Sequence, residues 1–308
     1  MANSYPRRWF RWMCSLFVVV LPVAAGMGRT KSTGEARFTK IVVPTGGDPD
    51  ALAAADLNND GAVDIVAANL EQGTVSVLLG DRKGHFHHSP GSPFPAGHLP
   101  NDIGIGDFNG DGHPDLLIAN TQTPYVTLLL GDGTGRFHPA SHSPFATNAK
   151  PHPHGLAVGH FCGRGEPLDA VIDSWESGEI ELLIGDGKGN LRNGAKFPAG
   201  PGSDMPLRSA DLNGPQVKEA TKIAVTVLLG DGRGGFSPMS GSPLALPGCG
   251  SPRRVAIGSV YGNGMNDLAI TCMNSATVLS FLGQADGGPH LSPVAVPIGT
   301  ADNVIGKA

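Results

Sequence analysis

The sequence predicts an all-β fold, a β-propeller of four-stranded blades of about 50 residues each. Three observations predict it. An acidic motif, "DLNNDGAVD" from Asp56, returns as "DFNGDGHPD" from Asp107 and, in weakened form, from His160, Asp211 and Ser259, so that five copies stand 51, 53, 51 and 48 residues apart. Each copy is followed by a β-rich run and a glycine-loaded turn: "TVSVLLGDRKGHF", "YVTLLLGDGTGRF", "EIELLIGDGKGNL", "VTVLLGDGRGGF" and "TVLSFLGQADGGPHL". Composition agrees, because 45 Gly and 26 Pro with only 16% charged residues imply many turns and few long helices.

Within a repeat, "ALAAAD" reads as a strand, the acidic stretch as a tight loop, "DIVAAN" as a second strand and "TVSVLLG" as a third. A looser fourth strand follows, ending near a Pro-x-Gly-x-x-Pro mark at Pro44 to Pro49 and Pro95 to Pro100, with the same proline spacing at Pro247 to Pro252. A single blade cannot bury both faces of its sheet, so neighbours must stack. The fourth copy is shortened after Asn213, which predicts that one of its strands is missing or replaced. The repeat region opens with "FTKIVVPTGGD" from Phe38 and ends with "LSPVAVPIGTADNVIGKA", both aligned with a fourth strand, so five recognisable repeats plus a partial blade are expected.

Residues 1–25 read as a secretory signal: Arg7, Arg8 and Arg11 precede an apolar run that ends at the small residues Val23-Ala24-Ala25. That run is shorter than the roughly 20 residues needed to cross a bilayer, so no transmembrane anchor is expected after cleavage. Residues 26–35 read as a linker and 36–308 as the propeller. The formal charge of −5 grows more negative once three arginines leave, and such a chain has no electrostatic reason to bind nucleic acid. Of the cysteines that remain, Cys162, Cys249 and Cys272, one pair can bridge and one thiol stays free, with the pairing open.

The acidic loop is the strongest chemical signal. Oxygens fall at positions 1, 3, 5 and 9, at Asp56, Asn58, Asp60 and Asp64, with the carbonyl of Ala62 at position 7. The second copy offers Asp107, Asn109, Asp111 and Asp115 with the carbonyl of His113. On a tightly curled loop, alternate residues point inward and gather hard oxygens, a donor set that suits Ca2+. Two calcium sites are therefore expected. An EF-hand is excluded, since Ala67 and Ile118 occupy the place of its final glutamate. The other three copies lose the pattern: His160, Cys162 and Arg164 in one, Pro215 and Gln216 in the next, Ser259, Tyr261 and Asn263 in the last.

These marks resemble FG-GAP or VCBS-type repeats, the family that includes the propeller head of integrin alpha subunits. The resemblance spans about residues 36–308 and implies a calcium-stabilised propeller, usually extracellular and used for adhesion or ligand binding. It implies no activity, because one scaffold carries many functions.

Other candidates are weaker. The Gly-x-Gly strings follow a strand and open no helix, so they read as hairpins and not phosphate loops. The histidines of "GHFHHSP" and "PHPHGLAVGH" have no matching ligand spacing and read as solvated loop residues. Asp50, Asn101, His154, Arg253 and Asn303, with Met205 in the slipped copy, occupy equivalent places before the first strand of each repeat and should ring the end opposite the acidic loops. No zinc-protease, nucleophile-elbow or P-loop motif appears. The expected function is a secreted, non-enzymatic binding or adhesion module facing an extracellular protein or glycan ligand. The alternatives are a carbohydrate-binding or polysaccharide-active propeller and a truncated paralogue without independent function.

Overall fold

A computed structural model describes residues 42–150, 152–163, 165–174, 177–199, 208–211, 215–221, 224–239, 241–249, 252–258, 267–272, 277–281 and 294–297. The signal and linker readings, Met205, Asn303 and the acidic loop of the last repeat lie outside them. The described residues form strands and turns without a helix, and no helix among them is long and apolar enough to cross a membrane.

Five antiparallel sheets make a five-bladed propeller. The first blade holds β1 (Pro49–Ala55), β2 (Asp64–Asn69), β3 (Thr74–Gly80), β4 (Phe86–His88) and the short β5 (Phe94–Pro95). The second holds β6 (Pro100–Gly106), β7 (Asp115–Asn120), β8 (Tyr125–Gly131), β9 (Phe137–Pro139) and β10 (Phe145–Ala146). The third holds β11 (Leu156–Gly159), β12 (Asp169–Asp173), β13 (Glu179–Gly185) and β14 (Leu191–Pro198). The fourth holds β15 (Arg208–Asp211), β16 (Pro215–Thr221), β17 (Ala224–Gly230), β18 (Phe236–Pro238) and β19 (Leu244–Ala245). The fifth holds β20 (Pro252–Gly258), β21 (Asp267–Cys272), β22 (Thr277–Phe281) and β23 (Val294–Pro297). The inner strands β1, β6, β11, β15 and β20 lie beside one another in that order.

The period of two along each strand builds the core between sheets. On β7, Leu116 and Ile118 join Val66, Ala68, Val75 and Val77 of the first blade, whereas Leu117 and Ala119 join Ala170 and Ile172 of the third. On β12, Val171 turns the other way, joining Ile180 and Leu182 of its own blade and Leu228 of the fourth. Each such aliphatic side chain taken out of water contributes about 1.5–3 kcal/mol.

The fourth blade decides between a missing and a replaced strand: β16, with a sequence unlike "DIVAAN", occupies the second-strand place. All four strands are present, and the loss falls in the connections: residues 212–214 join β15 to β16 where residues 56–63 serve the first blade. A hairpin can shorten its turn without giving up ladder hydrogen bonds, and Asp211 pairs directly with Pro215. The C-terminal remnant is β23, the fourth strand of the fifth blade, pairing Thr277 with Pro297.

Candidate functional site

The acidic loops form one end of the blades. Gly61 and Gly112 take positive φ (78° and 84°), the left-handed turn that curls each loop and that a Cβ would strain. In the first loop, Asp56 accepts from the amides of Asp60 (3.1 Å) and Gly61 (2.7 Å), Asn58 Oδ1 from Asp60 (3.2 Å) and Asp60 Oδ1 from Ala62 (2.6 Å). The second loop repeats the arrangement: Asp107 accepts from Gly110 (2.7 Å) and Gly112 (2.8 Å), Asn109 from Asp111 (3.0 Å) and Asp111 from His113 (2.8 Å). The amide of Ala62 lowers the pKa of Asp60 first, and Asn58 adds to that. The two loops also meet, with Asn59 Nδ2 3.2 Å from His113 Nδ1.

Position nine behaves differently. Asp64 and Asp115 are fully buried. Asp64 accepts from the amides of Leu57 (2.8 Å) and Gly80 (2.8 Å), and Asp115 from Phe108 (2.8 Å) and Gly131 (2.9 Å). Both oxygens of each carboxylate thus staple the acidic loop to the third strand. Burial raises both pKa values, Asp115 to about 6, and the charges of the first and fifth positions push the same way, which places three carboxylates within electrostatic reach in each loop. Asp169 makes the same staple to Cys162 (2.9 Å) and Gly185 (3.1 Å) in a loop without the other acids. Sequence reasoning grouped this residue with the ion-binding oxygens. The missed signal was its survival at Asp169 and Asp267, in copies where positions one, three and five have changed.

Position two connects the corner to the next blade. The backbone oxygen of Phe108 accepts from Gly189 (3.0 Å), and that of Phe161 from Gly234 (2.9 Å), so the glycine turn of one blade docks on the acidic-loop position of the blade before it. Asp132, Asp186 and Asp231 close those turns by accepting the amide two residues on, at 2.8, 2.8 and 2.7 Å, as hairpins require. Among the described residues, no set of three or more His, Cys, Asp and Glu side chains is gathered to hold a metal ion. The donor chemistry of each corner, all oxygen and rich in carboxylate, is of the kind a hard cation takes.

The opposite end is built by β-bulges. Pairing slips between Pro49 and Ala51, between Pro100 and Asp102, and between Pro252 and Arg254, leaving Asp50, Asn101 and Arg253 as the extra residues. Such bulges are found where a sheet edge re-aims a side chain. In the third blade the equivalent residue is His154, whose amide and that of Gly155 both donate to Asp173 Oδ1 (2.9 and 2.6 Å). Asn101 Nδ2 donates to the His154 carbonyl (2.5 Å), and the Leu156 amide donates to Asp102 Oδ2 (3.0 Å), tying the second blade to the third at the rim. A carbonyl only accepts, so the Asn101 amide has one possible orientation. Its Oδ1 is buried and has no hydrogen-bond donor among the described residues, an omission that costs about 1–3 kcal/mol.

A tether beneath the rim closes the crossover loop of four blades among the described residues. Asn120, buried at the end of β7, donates to the Ala96 carbonyl (2.8 Å); Ser174 donates to the Lys150 carbonyl; Asn69 reaches Ser76 (2.8 Å), whose hydroxyl donates to the Thr45 carbonyl. In the fifth blade the corresponding residue, Cys272, is bridged to Cys249 in the loop before β20. The open cysteine pairing is thereby resolved, with Cys162 as the free thiol and burial foremost in raising its pKa to about 11.

The FG-GAP-like repeat pattern matches residues 56–118 and 107–161. This stretch consists of FG-GAP-like repeats. No curated protein sequence matches the chain significantly. Solved structures similar to this propeller include the periplasmic gluconolactonase of Pseudomonas aeruginosa, at 15% identity and TM-score 0.57, over 79% of this chain and 69% of that one. They also include two proteins proposed to be 6-phosphogluconolactonases, from Bacteroides uniformis (15%, TM-score 0.61, 83% and 73% covered) and Bacteroides fragilis (14%, 0.58, 82% and 70%).

Those neighbours correct the expectation of a non-enzymatic adhesion module. The expectation leaned on the absence of a local catalytic motif. Propellers of this shape include a gluconolactonase, and a rim that collects one residue from each blade leaves no local motif to find.

Proposed function

We propose that this chain is a sugar-directed propeller enzyme of the lactone-opening kind, acting at the rim of its inner strands. The observation that carries the reading is the rim itself, where Asp50 and Asn101 are the bulged residues of adjacent inner strands and Asn101 donates to the backbone carbonyl of His154, the repeat-equivalent residue just before β11. Hydroxyl-rich ligands need such a mixture of acceptors and donors. His154 is the general base of the proposed step: it takes a proton from water as the water oxygen adds to the lactone carbonyl carbon. The ring C–O bond then breaks, and the proton passes to the departing ring oxygen, leaving a hydroxy acid. The names of the lactonase neighbours support the substrate class. The decisive measurement is proton release from glucono-δ-lactone at constant pH. The wild type should open the lactone above the buffer rate, and His154→Ala should lower that excess about 100-fold, within the usual range for losing a general base. A wild type that accelerates no lactone in a sugar series overturns the proposal.

Two calcium ions are part of the same reading, held by Asp56, Asn58, Asp60 and the Ala62 carbonyl, and by Asp107, Asn109, Asp111 and the His113 carbonyl, with Asp64 and Asp115 behind them. Their role is to neutralise crowded carboxylates and brace the corners, remote from the rim. Extracellular sites of this kind bind at about 10⁻⁴–10⁻³ M, so millimolar calcium should raise the melting temperature by a few degrees over EGTA. Asp60→Ala and Asp111→Ala should each remove part of that gain, and an unchanged gain in both defeats the ligand assignment. Export through the N-terminal leader completes the reading.

A further inference from the structure

The segment that carries His154 is held differently from its counterparts. β1 and β6 each run for 7 residues and include Asp50 and Asn101, whereas β11 has 4 and begins at Leu156, beyond His154. Two carboxylates claim the amides at this start. His154 and Gly155 donate to Asp173 Oδ1 (2.9 and 2.6 Å), and Leu156 donates to Asp102 Oδ2 (3.0 Å). The Asp173 amide donates in turn to the Gly155 carbonyl (3.1 Å), and Asn101 closes the other side of His154 by donating to its carbonyl. Both carboxylates depart from the repeat. Asp173 stands where the first two blades have Ala68 and Ala119, and Asp102 stands where the first has Ala51. Both are buried, and taking a carboxylate out of water is costly. The first two blades hold the same stretch by strand pairing, with Ala51 opposite Ala68 and Asp102 opposite Ala119. Two costly replacements of alanine, in different blades, thus converge on one short segment, and that segment bears the half-buried His154.

We infer that Asp173, with Asp102 beside it, is a positioning residue for His154: it fixes the peptide that carries the imidazole, so that the ring meets water and lactone in one orientation. The inference rests on the lactone-opening reading above and adds to it the groups that hold the base. Asp173 moves no proton itself and acts through the main chain of His154. A general base is most effective when its geometry is set before the reaction begins.

Proton release from glucono-δ-lactone by the full chain, resolved into kcat and KM, tests it. Asp173→Ala installs the residue of the first two blades and should lower kcat about tenfold or more with KM within about twofold, the pattern of a displaced base with binding kept. Asp173→Asn retains an oxygen that accepts both amides and should stay within about threefold of the wild-type kcat. In a His154→Ala background, Asp173→Ala should add no further loss, because a residue that acts through the imidazole has nothing left to act on. Further loss there marks a merely structural role and overturns the inference, as does a folded Asp173→Ala protein with wild-type kcat. Should that variant fail to fold, Asp102→Ala, which frees one amide of the same segment, decides: a several-fold lower kcat at unchanged KM supports the inference, and wild-type kcat overturns it. Either overturning result with an active wild type leaves the lactone-opening reading standing. A wild type that opens no lactone sinks both.

Discussion

The two ends of the blades solve the same problem, holding a loop onto a sheet, in opposite ways. At the acidic corners one chemistry recurs: a buried aspartate with each oxygen on a backbone amide, at Asp64, Asp115 and Asp169. At the rim the tether beneath the crossover loop is an amide in one blade, a hydroxyl in another and a disulfide in a third. The corner staple must reach two amides on two different elements at once, which a short carboxylate does and few other side chains can. The rim tether needs a single link to a nearby carbonyl or side chain, so many groups serve. Multiplicity of partners, more than burial, decides how far a position is free to vary between blades.

The strongest way to break this comparison is to remove a staple. Asp115→Ala strands the buried amides of Phe108 and Gly131 and should cost about 3–5 kcal/mol in urea unfolding with EGTA present. Asp169→Ala should cost nearly as much although its loop has lost the other acids. Asp111→Ala in EGTA should cost far less than either, and parity among the three refutes the distinction between staple and corner.

Next come the tethers. The bridge from Cys249 to Cys272 closes a short loop with a sequence separation of 23, so Cys272→Ser should cost about 3 kcal/mol. Asn120→Ala, which frees the Ala96 carbonyl and the Thr127 hydroxyl, should cost about 1–3 kcal/mol by the same measurement. If the two losses are equal, the covalent tether is no stronger than the hydrogen-bonded one.

The smallest effect sharpens the corner. Burial, with the Asp111 and Asp107 charges, lifts Asp115 to about 6, so the fold favours its neutral form. That contribution is complete below the unfolded carboxylate value of about 4 and is lost as pH rises through about 6. In EGTA the melting temperature should therefore decline modestly from about pH 4 to about pH 7, and Asp115→Asn should flatten the slope whatever its own stability.

The architecture was legible because its signals are local and repeated: the strand alternation around Val66 and Leu116, the glycine turns and the spacing of the acidic copies all state one blade several times. The fourth blade was legible only to the choice between a missing and a replaced strand, because a shortened repeat does not say which; strand ladders carry the hydrogen bonds, so a strand of different sequence stands there. The site was legible in part. Asp50, Asn101, His154 and Arg253 emerged from alignment of the copies, but the bulge that sets Asp50, Asn101 and Arg253 apart arises from register, and the Asn101–His154 link joins residues 53 positions apart. The staple at Asp64 was hidden because its partners are backbone amides, which no side-chain pattern reveals.

Each sheet lends both its surfaces to neighbours, as Leu116 and Leu117 show from successive positions on one strand. No single module of this molecule is therefore self-sufficient. A cut between the second and third units would strip Phe108, Leu117 and Ile172 of their cover together and leave two sticky halves in place of a smaller working protein, so gain or loss of a unit demands re-matching of two interfaces in one step.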